Sequence, residues 1–206
     1  ADVGAAMGIT GTDVAKSAAD IILTDDNFAT IVDTIAEGRR VYENIRKTIY
    51  FLLSCNISEI FIMLIAISLG WGTPVIAIQL LLINVVADGI PGFSLSREKI
   101  EEDAMTNDPV PKNASIFSNG LAWKIGGQAV VFTIITLLRF YIGREVEIGG
   151  MIPSYEIGQT MAFVILGWSS VVHIFNVRSS ESIFKIGFTS NKLLFWCAML
   201  SIGIVF

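Results

Sequence analysis

Four apolar stretches, Ile49 to Trp71, Pro74 to Leu95, Leu121 to Ile142 and Ile157 to Val177, are each long enough to cross a bilayer as helix, which takes about 20 residues. A fifth, Leu193 to Phe206, has only 14 residues and is expected to be a span that continues beyond the chain. With 53% hydrophobic and 16% charged residues, the sequence is too apolar for an ordinary soluble domain, where charged residues alone run near a quarter. An integral membrane protein is therefore the first expectation. The net charge of −5, with no window of clustered Lys and Arg, argues against a nucleic-acid partner. The opening residues ADVGAAMGITGTDVAK lack the basic start and apolar core of a signal peptide. Cys55 and Cys197 lie inside apolar stretches without ligand or disulfide spacing and read as small packing residues.

Basic residues set the expected orientation, because positively charged loops stay in the cytoplasm. With residues 1–48 placed there, that side holds Lys16, Arg39, Arg40, Arg46, Lys47, Arg97, Lys99, Lys112, Lys124, Arg178, Lys185 and Lys192. Only Arg139 and Arg144 fall on the far side, a split of 12 to 2 among the 14 Lys and Arg. Trp71, Trp123 and Tyr141, near span ends, read as interfacial anchors, and Gln79, Gln128 and Gln159 as interhelical hydrogen-bonding groups.

The first 48 residues differ in kind. Asp13 to Asp20 and Asn27 to Ile45 have helical periodicity, whereas Val3 to Met7 and Ile21 to Leu23 read as short buried strands. Thr12 is a candidate cap for the first helix, and Asp26 or Asn27 for the second. From Asn27 the chain runs through GRRVYENIRK into the first span without proline, so one continuous helix is expected. The fold class is thus mainly α: a polytopic transmembrane helix bundle preceded by a partial α/β fragment, whose partner strands are expected upstream of Ala1. The acidic segment from Ser96 to Phe117, with two prolines, reads as an irregular connector.

A charge inside hydrocarbon costs at least ~2.5–3.5 kcal/mol on insertion scales, so Glu59 and Asp88 need a reason to be there. Asn56 precedes Glu59 by three positions and Asn84 precedes Asp88 by four, which puts an amide beside a carboxylate on one face of each helix. Hard cations such as Ca²⁺ take six to eight oxygen ligands, and these four side chains supply much of such a shell. Pro91, in Asp88-Gly89-Ile90-Pro91, is expected to break the second span at membrane depth and free backbone carbonyls. His173, alone at the cytoplasmic end of its span, reads as structural or interfacial.

The stretch ADVGAAMGITGTDVAKSAADIILTDDNFATIVDTIAEGR resembles the end of the phosphorylation domain of P-type cation ATPases. SCNISEI resembles the fifth membrane helix of the calcium-pump branch, NVVADGIPG the sixth, and EDAMTNDPVPKNASIF the connection to the seventh. The resemblance implies that residues 1–38 end a haloacid-dehalogenase-like phosphorylation domain, that 39–48 form a stalk helix, and that 49–206 are the transport region. It implies a pump in which ATP phosphorylates an aspartate, with Mg²⁺ and ATP bound by domains outside this chain. The DKTGT motif and the GDGVNDAP signature are expected upstream, with the actuator and nucleotide domains and the first four helices. By motif match, Asn56, Glu59, Asn84 and Asp88 are the cation ligands, Ca²⁺ is favoured over Na⁺ because Asn84 replaces the aspartate of the sodium/potassium branch, and Mn²⁺ could use similar oxygens.

Ala87 stands where calcium pumps of muscle reticulum have threonine, and their eighth-helix glutamate falls near Ser180 and Glu181; a single cation site is the expectation. The implied setting is the plasma membrane, with residues 1–48 cytoplasmic and the bilayer, the cation and the remaining pump domains as partners. A channel or secondary transporter using paired acids is the alternative, but it has no need of an α/β fragment and often shows inverted repeats. A stand-alone membrane interaction protein is a third reading.

Overall fold

The computed structural model describes residues 3–99, 105–111, 113–147, 149–150, 152–179 and 183–205. The chain divides into two compact units, Ala1–Tyr42 with Ile100–Asp108, and Glu43–Lys99 with Pro109–Phe206.

In the first unit, β1 (Ala5–Met7) and β2 (Ile21–Leu23) pair in parallel, joined by helix α1 (Asp13–Ala18). Thr12 caps α1 as expected, its hydroxyl accepting from the Ala15 N–H at 3.2 Å. Asp26 does something other than cap. With φ of 52°, a conformation that Asp tolerates better than most residues, it turns back to the loop after β1 and accepts from the Ile9 N–H at 2.8 Å and the Thr10 N–H and hydroxyl at 2.7 Å each. These bonds, that from Ile9 foremost, hold its carboxyl below the usual range. Asn27 accepts from the Ala29 N–H at 3.0 Å, at the entry to helix α2 (Thr30–Ser68). The two strands are the whole of the described sheet.

Helix α2 runs 39 residues without interruption, the continuity expected of a segment free of proline. It ends in a Schellman motif: Gly70 has φ of 71°, its N–H bonds to the Ile67 carbonyl at 3.0 Å, and the Trp71 N–H reaches the Ala66 carbonyl at 2.9 Å. The following turn is pinned by Tyr155, whose hydroxyl accepts from the Thr73 N–H at 2.7 Å and donates to the Thr73 carbonyl at 2.9 Å. Gln159 also donates to that carbonyl, at 2.7 Å, so it ties a helix to a turn. Gln79 stays at the end of its own helix, accepting from the Ile76 N–H at 3.0 Å, instead of bridging helices.

The second unit continues with α3 (Ala77–Leu82), a π-helical segment (Ile83–Gly89), α4 (Ile90–Ser94) and a 3₁₀ turn (Leu95–Arg97), then α5 (Leu121–Glu145), α6 (Tyr155–Val177), the short α7 (Ile183–Ile186) and α8 (Lys192–Val205). Thr30–Ser68, Ala77–Arg97, Leu121–Glu145 and Tyr155–Val177 are each long and apolar enough to cross a membrane, with mean hydropathy of 1.6 to 2.0. Exposed Ile60, Leu64, Ile67, Ile134, Leu138, Trp196 and Leu200 give the bundle an apolar surface suited to lipid. Helices α5 and α6 cross in close contact because their facing positions are glycines: a Cβ at Gly143 would lie 2.9 Å from Gly158 Cα.

Two apolar clusters fill the interior. One gathers Phe51, Cys55, Leu95, Phe132, Ile174, Val177 and Leu194; the other gathers Ile62, Val75, Ile83, Ala87, Phe140, Ala162 and Leu166. His173 is 1% exposed, with its ring 5.1 Å from that of Tyr50, 5.9 Å from Phe51 and 5.2 Å from Phe132. That is a packing role, in keeping with the structural reading.

Candidate cation site

Of the four residues singled out in the sequence, Glu59 and Asn84 are brought into direct contact and Asp88 lies near Glu59, whereas Asn56 bonds within its own helix. Asn84 Nδ2 donates to Glu59 Oε2 at 2.8 Å, so the amide of one span and the acid of the other meet directly. Asn84 Nδ2 also donates to the Leu80 carbonyl at 2.9 Å, and Asn56 Nδ2 to the Leu52 carbonyl at 2.8 Å. Both amides thus direct their nitrogens to existing acceptors. Glu59 is 8% exposed and Asp88 1%. Glu59 Oε1 and both Asp88 oxygens are buried without a hydrogen-bond partner.

Buried carboxylate oxygens without donors are costly unless something positive meets them. Three such acid oxygens, Glu59 Oε1 and both of Asp88, are of the kind a hard cation takes as ligands. They do not complete its shell: the described residues contain no group of three or more His, Cys, Asp or Glu able to hold a metal. Glu59 also borders an open groove of about 570 Å³, lined otherwise by Ile60, Met63, Leu64, Ile67, Ser68 and Leu80.

The expected break at Pro91 takes a different form. The chain stays helical but widens to the i→i−5 register across Ile83–Gly89, the segment that carries Asn84 and Asp88. Gly89 suits the tight passage, since a Cβ there would lie 3.2 Å from the Asn84 carbonyl. In that register an amide at position 91 would bond to the Val86 carbonyl, and Pro91 has none to offer. Ser201 of α8 replaces it, donating to Val86 O at 2.7 Å.

Ala87 is fully buried in the second apolar cluster and brings no oxygen to the site. Ser180 and Glu181 lie outside the described residues, and α6 ends before them, at Val177. The residue of α6 that the structure does bring close is Ser170, fully buried, whose hydroxyl donates to Cys55 Sγ at 3.5 Å. Both Cys55 and Ser170 neighbour the Asp88 side chain. The sequence reading took Cys55 for a packing residue and passed over Ser170, because a serine in an apolar run carries no local signal.

A buried pair of acids with an amide bonded to one of them, held on a π-helical segment and a long apolar helix, belongs to a chain with four helices long and apolar enough to cross a membrane. Residues 72–206 match the model of the family described as Cation transporting ATPase, C-terminus, and the chain belongs to that family. It is similar to "Calcium-transporting ATPase 1" of Bacillus cereus, 44% identical over 98% of this chain and 24% of the relative. It is likewise similar to "Calcium-transporting ATPase" of Bacillus subtilis, 40% identical over 98% of this chain and 22% of the relative. "Calcium-transporting ATPase type 2C member 1" of Pongo abelii is 36% identical, again over 98% of this chain and 22% of its own length. The chain therefore spans less than a quarter of these curated relatives.

Proposed function

We propose that this chain is the membrane part of an ATP-driven calcium pump, and that Asn56, Glu59, Asn84 and Asp88 ligand the transported Ca²⁺. The observation that carries the reading is the buried set of acceptor oxygens between α2 and the π segment, with Glu59 and Asn84 joined at 2.8 Å. A cation entering there would take up the unpartnered oxygens of Glu59 and Asp88, and their charge would offset its dehydration.

In this reading residues 1–38 end a haloacid-dehalogenase-like phosphorylation domain, 39–48 form the stalk and 49–206 the transport region. Residues 1–48 are cytoplasmic and the membrane is the plasma membrane. Other segments of the full-length pump bind ATP and Mg²⁺ and carry the phosphorylated aspartate; a ligand from such a segment can reach the site through the groove beside Glu59. Pump and channel separate in one experiment. Full-length protein is incubated with labelled ATP across a calcium titration: a pump forms an acid-stable phosphoenzyme that rises with Ca²⁺, and its absence would exclude this reading.

A further inference from the structure

Helix α8 holds the candidate site's π segment without contributing any ligand to it. Ser201 is fully buried, and its hydroxyl faces two acceptors, the Val86 carbonyl, two residues before Asp88, at 2.7 Å and the Cys197 carbonyl of its own helix at 2.9 Å, of which Val86 is the nearer. At its other end α8 is preceded by Asn191, whose side chain accepts from the Leu194 N–H at 3.1 Å and donates to Glu98 Oε2 at 2.8 Å. One helix therefore grips the Asp88-bearing span on both sides of Pro91.

The need for the first grip follows from covalent structure. A π turn leaves Val86 O looking for the amide of residue 91, and proline has no amide hydrogen. Val86 is buried, so water is a poor substitute. With Ser201 in place the wide register is satisfied; without a donor, the segment gains by shifting register or twisting Val86 O elsewhere, and either movement rotates Asp88.

Building on the calcium-pump reading, we infer that Ser201 is a positioning residue for the cation site, acting through the Val86 carbonyl that Pro91 leaves free. Its effect is on the orientation of Asp88.

The test uses full-length pump with Ser201→Ala, Pro91→Ala and the double variant. Ser201→Ala is expected to raise the half-saturating Ca²⁺ for phosphorylation by ATP about tenfold, the scale set by one unmet buried acceptor. Phosphorylation from inorganic phosphate without Ca²⁺ should stay at the wild-type level, which a general folding defect would not allow. Pro91→Ala restores an amide to the helix, so adding Ser201→Ala to it should change half-saturation less than twofold. Unchanged half-saturation in Ser201→Ala, or equal losses in both backgrounds, would overturn the inference. Should wild-type phosphorylation ignore Ca²⁺, the pump reading fails separately. Amide exchange across residues 87–90 then decides: about tenfold faster exchange in Ser201→Ala supports positioning, and unchanged exchange overturns it.

Discussion

Glu98 and Arg178 meet at 3.0 Å with side chains 8% and 2% exposed, an ion pair withdrawn from water between the end of the Asp88 span and the end of α6. Asn191 donates to the other Glu98 oxygen, Ser190 pairs with the guanidinium, and Asn44 of α2 donates to the Glu98 carbonyl at 3.0 Å. Four segments thus converge on one short turn.

Removing one member of such a pair strands the other charge, at a cost of about 3–5 kcal/mol. Arg178→Met should therefore lower the unfolding stability of the detergent-solubilised protein by that order. Glu98→Gln should cost less, because its amide oxygen can still accept from Asn191. Unfolding midpoints for the two variants check the ranking; an Arg178→Met protein as stable as wild type would mean that the pair is not closed in solution.

Asp26 makes the first unit sensitive to acid. Its folded carboxyl is held below the ordinary value, which for a free Asp is about 3.9. The folded state therefore binds fewer protons, and this stabilisation is fully present above the unfolded value and is lost as pH falls through the folded one. Protection of the Ile9 and Thr10 amides, followed by hydrogen exchange and corrected for intrinsic rates, should hold above pH 5 and weaken on acidification. Asp26→Asn should show weaker protection already at neutral pH.

The close approach of α5 and α6 should tolerate little at its glycines. Gly158→Ala places a Cβ 2.8 Å from the Phe140 carbonyl, so the helices must separate, at about 1–3 kcal/mol. Gly126→Ala, with open space around it, is the control on the same bundle, and thermal unfolding compares them.

Ala87 lies in an apolar cluster, and among the described residues the buried acids of the spans are Glu59 and Asp88. Equilibrium binding of ⁴⁵Ca²⁺ to the full-length protein should saturate at one ion per pump. Two ions of similar affinity would require ligands that these residues do not provide.

The spans were legible because length and apolarity alone specify a membrane helix, and Thr12 because a cap is a local event read from adjacent residues. The amide-before-acid spacing was read as pairs within one helix, whereas the amide of Asn84 meets Glu59 on the other helix. Other features arise between distant positions. Glu98 and Arg178 are separated by 80 residues, and nothing near either predicts its partner. Pro91 suggested a break because its lost amide is visible in the sequence, whereas the Ser201 hydroxyl that compensates it is 115 residues from Val86. Asp26 was read as a helix cap from its position; its turned backbone and its bonds to Ile9 and Thr10 depend on β1 and β2 being paired.

The central claim is that Asp88 ligands the transported cation, and calcium-activated phosphorylation of full-length pump by ATP tests it most directly. Asp88→Asn keeps the volume and one carbonyl oxygen but removes the charge that offsets cation dehydration, so half-saturation should rise by at least about a hundredfold, roughly 2.7 kcal/mol. Glu59→Gln and Asn84→Ala should weaken activation less, and His173→Ala should leave it near wild type. An Asp88→Asn pump that phosphorylates with wild-type calcium dependence would contradict the site.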